Sequence, residues 1–172
     1  MHRAIVFLML LGAVAAIAPR PVPGQAPPRC DQEPIHRQFD FWIGEWDVFN
    51  PDGEHLGRNR IERTAAGCAL IETWKGDRGG TGNSINYFDP ERQKWVQTWV
   101  GGSGYVIDVA GEFVDGSMRL EGRYVQTDGT VQPFRGIWTP LKDGRIRQLL
   151  ETSTDSGATF ETWFDGYYVR TP

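Results

Sequence analysis

The chain has 172 residues, about the length of one domain, and 40% of them are hydrophobic, which is enough for a packed core. Its formal net charge is −4, so it has neither the basic surface that nucleic-acid binding requires nor the polybasic cluster of a membrane-surface anchor. These numbers exclude nucleic acid as a partner and predict a single globular domain.

Residues 1–29 have the composition of a leader followed by a linker. In residues 1–18, Arg3 precedes an apolar stretch that ends in small residues in A-x-A order, which predicts an export signal peptide whose cleavage site stays open. The stretch is short for a membrane span, so we expect a periplasmic or secreted protein, with a retained anchor as the alternative. Residues 19–29 are rich in proline and predict a stiff linker. The folded domain is expected at residues 30–172, without a membrane span of its own.

The chain contains two cysteines, Cys30 and Cys68. In an oxidising compartment an even pair tends to be bridged, so we predict a disulfide between them, with a reactive thiol as the alternative. The bond would fix the start of the domain to the strand that holds Cys68. Two thiols this far apart do not make a metal site by themselves, and no His or Cys cluster has zinc-ligand spacing. We therefore predict neither a metal nor a cofactor.

After residue 42 the sequence alternates between strand-like segments and tight turns. Asp-Gly pairs at 52–53, 115–116, 128–129, 143–144 and 165–166 favour hairpin turns between segments rich in β-branched and aromatic residues. We predict about ten strands, the first at 42–50 and the last at 159–170, with the final Asp-Gly pair as a bulge. Short connections require antiparallel pairing, so the strands either close or form a two-layer sandwich, and closure removes exposed edges. The sequence thus predicts an all-β, up-and-down antiparallel β-barrel.

Two other segments are assigned to the ends of this barrel. A short helical turn near residues 35–40 is expected to plug one open end. The glycine-rich stretches at 76–82 and 101–104 lie between strands and predict either flexible hairpins or loops at the barrel mouth. A ligand lid made from these loops is the functional alternative.

The first predicted strand carries a recognisable motif. The run FDFWIGEWDV at 39–48 contains Gly-x-Trp at 44–46, which resembles the first-strand motif of the calycin superfamily, including lipocalins, fatty-acid-binding proteins and nitrobindins. In those barrels the tryptophan closes the floor, and an arginine from a late strand often packs over it. The resemblance implies this role for Trp46, with Arg147 or Arg170 as the arginine.

A wider set of motifs narrows this resemblance. With GCALIETW at 67–74, QTW at 97–99 and FDGY at 164–167, the chain is similar to a group of exported bacterial lipocalin-like proteins classed as a domain of unknown function. The similarity covers roughly residues 30 to 170, and that group has no agreed activity to carry over. Nitrobindins bind haem through a late histidine, whereas the histidines here are His2, His36 and His55. The resemblance therefore does not imply a haem site.

Polar residues alternate with tryptophans on the predicted strand faces. Because a strand alternates faces with period two, Glu72 shares a face with Trp74, and Gln97 shares one with Trp99. If these faces point inward, the polar groups enter the barrel and need hydrogen-bond partners. Arg135 and Arg147 are expected to pair with the acidic candidates, and Trp46 and Trp74 are interpreted as structural. The candidate ligand-binding residues are Glu72, Asn86, Gln97, Trp99, Arg135, Trp138, Gln148, Glu151 and Trp163.

The main functional prediction is an exported lipocalin-like barrel that binds a small, partly apolar ligand in its interior. The first alternative is an enzyme, an isomerase, cyclase or hydrolase, in which Glu72 and Glu151 are the candidate catalytic carboxylates. The second is a glycan- or protein-binding module that presents surface aromatic residues. A third possibility for the polar residues is purely structural, as outward charges above an Arg/Trp floor. The sequence names neither the ligand nor the oligomeric state.

Overall fold

The strands are separated by tight turns whose chemistry is visible in the sequence. The computed structural model describes residues 30–171, so the predicted signal peptide (1–18) and linker (19–29) lie outside the described residues. At the turn of residues 128–129, Gly129 has a φ of +86°, a left-handed conformation that favours glycine. The Asp128 carboxylate accepts a hydrogen bond from the Thr130 N–H at 2.8 Å. Such turns delimit ten strands: β1 Gly44–Phe49, β2 His55–Thr64, β3 Ala69–Gly76, β4 Thr81–Asp89, β5 Lys94–Gly101, β6 Val106–Val114, β7 Ser117–Val125, β8 Val131–Pro140, β9 Ile146–Thr152 and β10 Glu161–Arg170.

The ten strands form a closed antiparallel barrel. Each strand pairs with its neighbours in sequence, and β1 closes the sheet by pairing with β10 from Trp46↔Arg170 to Phe49↔Tyr167. This arrangement confirms the predicted all-β, up-and-down barrel and excludes the two-layer sandwich. Within the described residues, no helix is both long and apolar enough to cross a membrane.

The last strand contains a bulge, but not at the predicted position. Asp165 and Gly166 pair in regular register with Leu149 and Gln148, so the bulge predicted for this pair is wrong. The register shifts instead between Thr162 and Phe164. Gly166 is required for close packing rather than for a turn, because a Cβ atom there would lie 2.5 Å from the Phe164 ring.

A plug segment, residues 30–43, closes one end of the barrel. It contains the short 3-10 helices Cys30–Gln32, Pro34–Arg37 and Asp40–Trp42, which confirms the predicted helical turn. Phe39 and Trp42 are fully buried and stack with ring centroids 5.0 Å apart. Cys30 is bonded to Cys68, so the predicted disulfide is present and fixes the start of the plug to the residue before β3.

The plug rests on Trp46, which joins it to the barrel floor. Its indole Nε1 donates a hydrogen bond to the Trp42 carbonyl at 2.9 Å. The Arg170 guanidinium lies 4.5 Å from the Trp46 ring and donates to the Ile43 carbonyl at 3.2 Å. Of the two predicted arginines, Arg170 is therefore the one that packs over Trp46. Arg147 instead pairs with Asp165 on the outer face, at 2.8 Å.

Candidate ligand-binding site

The half of the barrel opposite the plug encloses a cavity of about 480 Å³. Its mouth includes Gly79, Gly80, Gly102 and Ser103, so both glycine-rich stretches lie at the barrel mouth as predicted. The remaining lining residues come from the inward faces of the strands and the loop before β6: Asn59, Glu72, Trp74, Thr81, Gln97, Trp99, Tyr105, Ile107, Phe134, Gln148, Leu150, Trp163, Phe164 and Tyr168.

Aromatic side chains form most of the cavity wall near its mouth. Trp163 packs against Tyr105 and Phe134, with ring centroids 6.0 and 5.6 Å away. The bulge in β10 explains why Trp163 and the next residue, Phe164, both line the cavity, since regular pleating would send them to opposite faces. Trp163 keeps 38% of its surface exposed, which places it at the rim.

Glu72 lies at the centre of the polar side of the cavity. It sits in mid-β3, where the pleat turns it inward, and only 3% of its surface is exposed. The Nδ2 of Asn59 on β2 donates to one carboxylate oxygen at 2.6 Å. The hydroxyl of Ser84 on β4 donates to the other oxygen, also at 2.6 Å. Both neighbouring strands thus supply a hydrogen bond that holds the carboxylate in place.

The hydrogen bonds continue from Glu72 across two further strands. The Asn86 Nδ2 donates to the Ser84 Oγ at 2.8 Å, and the Gln97 Nε2 donates to the Asn86 Oδ1 at 2.7 Å. Each donor in this row points toward Glu72, so the carboxylate fixes the orientation of every amide in it. We call Asn59, Glu72, Ser84, Asn86 and Gln97 the polar row.

A second arm of hydrogen bonds leaves Asn59 toward β10 and β9. The Asn59 Nδ2 also donates to the Tyr168 hydroxyl at 3.1 Å, and Tyr168 in turn donates to the Gln148 Oε1. Burial, together with the charge of Glu72, raises the pKa of Tyr168 well above its ordinary value, so Tyr168 remains a hydrogen-bond donor at neutral pH.

Glu72 is the acidic group of this cavity, and its protonated and ionised forms are similarly populated near pH 7. Burial raises the pKa of Glu72 to about 7, although the hydrogen bonds from Ser84 and Asn59 oppose the shift. Among the described residues that line the cavity, none is a Lys, Arg or His. Glu72 therefore has no positive partner in the cavity, and its carboxylate is held by neutral donors alone.

One hydrogen-bond acceptor beside Glu72 is unused. Asn59 lines the cavity, and its Oδ1 is buried without a hydrogen-bond partner among residues 30–171. Its amide is oriented by donation to Glu72, which leaves the oxygen as the free end. A buried acceptor without a partner costs roughly 1–3 kcal/mol, so this oxygen marks a position where a ligand donor would be favourable.

The structure divides the predicted site residues into two groups. Glu72, Gln97, Trp99, Gln148 and Trp163 line the cavity as expected. The other four, Asn86, Arg135, Trp138 and Glu151, do not line it.

Asn86 and Trp138 are interior residues outside the cavity lining. Asn86 is fully buried and supports the polar row between Ser84 and Gln97. Trp138 is also fully buried, but it packs edge-on against Phe39 of the plug segment, with centroids 5.6 Å apart. Trp138 is therefore part of the packed core.

Arg135 and Glu151 lie on the outer face of the barrel, which corrects their assignment to the interior. Their neighbours Phe134 and Leu150 line the cavity, so pleating turns Arg135 and Glu151 outward. They form an ion pair with each other at 2.7 Å, and the Arg135 guanidinium also covers the Phe160 ring at 4.1 Å. Glu151 consequently cannot join Glu72 as a catalytic pair.

Several lining residues were not predicted from the sequence. Trp74 was interpreted as structural, yet it lines the cavity two residues from Glu72, as the period-two pattern alone indicates. Asn59 alternates with the buried Ile61 on β2, and this alternation is the signal that could have identified it. Tyr168 is two residues from Gly166 on β10, so the same alternation could have identified it. Nothing in the local sequence distinguishes Tyr105 from an ordinary loop residue.

Comparison of the sequence with models of known protein families gave no match, and a search of curated proteins gave none either. The site is therefore interpreted from its own chemistry. Within the described residues, no group of three or more His, Cys, Asp or Glu side chains is placed to hold a metal ion. The arrangement combines an aromatic wall, one buried carboxylate and a row of oriented amides, which is suited to holding and orienting an organic molecule.

Proposed function

We propose that the protein is an exported binding protein that holds one small, partly apolar molecule in the open half of its barrel. The observation that carries the proposal is a cavity of about 480 Å³ with aromatic walls and the polar row along one side. Small-molecule sites typically combine apolar walls, which supply most of the binding free energy, with a few polar groups that fix orientation. The other end of the barrel is filled by the buried rings of Phe39, Trp42 and Trp138, which supports a ligand position on the mouth side.

Two features support the exported, calycin-like character of the protein. The Cys30–Cys68 bond is of the kind that persists in oxidising compartments outside the cytoplasm. The packing of Arg170 over Trp46 agrees with the arrangement implied by the calycin resemblance. Both observations are consistent with a lipocalin-like carrier.

A second candidate function is proton transfer to or from the bound molecule. It is favoured by the buried position of Glu72 and by its pKa of about 7, which matches the operating range of a general acid or base. Glu72 would have to act without Glu151. The surface-aromatic alternative has little support, because Trp163 is the only exposed tryptophan of the seven in the chain.

Ligand binding is tested by fluorescence titration with N-phenyl-1-naphthylamine, an uncharged probe whose emission rises in apolar surroundings. We compare the wild type with Leu150→Phe, which adds volume to the cavity wall, and with Leu149→Phe, the matched change on the outer face of β9. We expect saturable one-site binding to the wild type and Leu149→Phe, and roughly tenfold weaker binding to Leu150→Phe.

Thermal unfolding followed by circular dichroism establishes that both variants are folded. Absence of saturable binding to the wild type would contradict the proposal. Equal loss of affinity in both variants would also contradict it, since the probe would then bind somewhere other than the cavity.

A further inference from the structure

The charge balance of the cavity restricts the class of molecule it can take. Glu72 is buried without a positive partner among residues 30–171, whereas Arg135 and Arg147 lie on the outer face and are already paired with Glu151 and Asp165. A buried carboxylate is stabilised most strongly by a cation. A ligand that carries a positive charge would supply this cation.

The hydrogen-bonding capacity beside Glu72 points in the same direction. The Asn59 Oδ1 is an acceptor without a partner among the described residues, and Gln97 uses its amide nitrogen on Asn86, which leaves its oxygen as the free end. Each oxygen of the Glu72 carboxylate accepts one hydrogen bond and has capacity for another. The polar row therefore offers acceptors, and a complementary ligand must bring donors.

The remaining polar group of the cavity is the exception to this pattern. Gln148 accepts a hydrogen bond from Tyr168, so its amide nitrogen is the free end and offers a donor. It lies on β9 and is joined to Asn59 of the polar row through Tyr168. A ligand can therefore place one acceptor, such as a hydroxyl, against Gln148 while its donors contact the polar row.

The aromatic wall is compatible with a cation as well as with an apolar body. Trp74 and Trp99 line the same cavity as Glu72, and indole faces attract ammonium groups. Neutral ligands gain from apolar contact with these rings, but they leave the carboxylate unpaired.

We propose, given that the cavity is a binding site as argued above, that its ligands are organic amines bound as cations. The ammonium group donates to the Glu72 carboxylate and to the Asn59 Oδ1, and an aromatic or branched apolar body lies between Trp74, Trp99 and Trp163. Binding forms and breaks no covalent bond. No proton is transferred either, because the amine enters already protonated.

The proposal is tested with three probes that share a naphthalene ring system and differ in charge. These are 2-(1-naphthyl)ethylamine, 1-ethylnaphthalene and 1-naphthylacetate, each titrated into the protein at pH 8 with tryptophan fluorescence as the readout. We expect the amine to bind at least about tenfold more tightly than 1-ethylnaphthalene, and the carboxylate to bind most weakly. Equal affinity for the amine and the neutral probe, or tighter binding of the carboxylate, would overturn the proposal. This comparison needs no variant.

Glu72→Gln and its matched control Glu151→Gln assign the preference to a residue. Both changes remove one negative charge and keep the shape of the side chain, but Glu151 lies on the outer face. Glu72→Gln should weaken amine binding at least about tenfold and leave 1-ethylnaphthalene within about twofold of the wild type. Glu151→Gln should change neither. Equal weakening of amine binding in both variants would show a general charge effect and overturn the assignment.

A pH series gives an independent readout. Only the ionised form of Glu72 pairs with an ammonium, so amine affinity should fall about tenfold between pH 8 and pH 6 as the carboxylate, with a pKa of about 7, takes up a proton. The other titratable groups facing Glu72 are Tyr105 and Tyr168, whose pKa values are raised by burial and which stay neutral in this range. The fall should be absent in Glu72→Gln, and a wild-type profile that stays flat would contradict the proposal.

The outcomes separate the two proposals. If none of the three naphthalene probes and no N-phenyl-1-naphthylamine binds, the cavity is not a binding site and both proposals fail. If the neutral probes bind and the amine has no advantage, the binding proposal stands and the inference about amines is overturned.

Discussion

The two halves of the barrel interior contain similar aromatic residues, but these residues pack tightly in one half and line a cavity in the other. At the plugged end, Phe39, Trp42 and Trp138 are fully buried and in ring-to-ring contact. At the open end, Trp74 and Trp99 line a cavity instead. Along β5 the two environments are four residues apart, since Trp95 packs on Phe39 while Trp99 faces the cavity. Tryptophan content alone therefore does not mark a core or a site.

The two halves differ because different segments outside the sheet pack against them. The plug segment inserts two aromatic rings into one half, and it is held there by the disulfide and by Trp46. The open half receives only loops at its rim, and its strands contribute polar residues at inward positions. One half thus stabilises the fold, and the other supplies groups that can contact a ligand. Each prediction below changes one half and leaves the other intact.

The largest effect is expected from emptying the plugged half. Trp42→Ala removes a fully buried ring, and we expect it to lower the free energy of unfolding by roughly 3–5 kcal/mol. The control is Trp163→Ala at the rim, where 38% of the residue is already exposed; it should cost only about 1–2 kcal/mol. Urea unfolding measures both. Similar losses in the two variants would mean that the halves do not differ in packing as described.

Removing the covalent link to the plug should have the next largest effect. The bond joins residues separated by 38 positions, so the double change Cys30→Ala and Cys68→Ala should cost roughly 2–4 kcal/mol. Probe affinity in the open half should stay within about twofold of the wild type under conditions where the variant is folded. Loss of binding in a fully folded variant would show that the plug also shapes the cavity.

The third effect concerns the open half and depends on pH. The pKa of Glu72 is raised from 4.5 to about 7 in the folded protein, so the folded state binds the proton more tightly than the unfolded chain. Stability relative to Glu72→Gln should therefore be greatest below pH 4.5 and decrease by about 3 kcal/mol as the pH rises through 7. Denaturant unfolding at pH 4.5, 6 and 8 measures the difference. A gap between wild type and variant that is independent of pH would show that the pKa of Glu72 is not shifted.

Local sequence pattern was enough for much of the fold. Asp-Gly turns and short β-rich segments predicted ten antiparallel strands, and Cys30 and Cys68 predicted the disulfide. The bulge could not be located in this way, because Asp165-Gly166 has the composition of a turn while its glycine serves the packing of Phe164. The actual bulge at Trp163 depends on pairing with β9, which the sequence of β10 alone does not specify.

The candidate site was predicted only where the two faces of a strand differ in character. Glu72 and Gln97 were found because each alternates with tryptophan. On β9 both faces carry apolar residues: Leu149 shares one face with Glu151, and Leu150 shares the other with Gln148. The local pattern therefore did not decide which face is inward. Glu151 was misplaced for this reason.

The distinction between packed and cavity-lining tryptophans required the three-dimensional position of the plug. Trp138 and Trp99 have comparable surroundings in sequence, but Trp138 contacts Phe39 whereas Trp99 lines the cavity. This contact joins residues 99 positions apart in the chain. The sequence pattern of single strands cannot predict such a contact.

We propose that the open half of the barrel binds a ligand whose polar group contacts Glu72. A crystal structure of the protein soaked with 2-(1-naphthyl)ethylamine at pH 8 tests it most directly. We expect the naphthalene ring inside the cavity, between Trp74 and Trp99, with the ammonium nitrogen about 3 Å from a Glu72 carboxylate oxygen. A compound bound only on the outer face, or bound in the cavity with its nitrogen directed to the mouth, would contradict the claim.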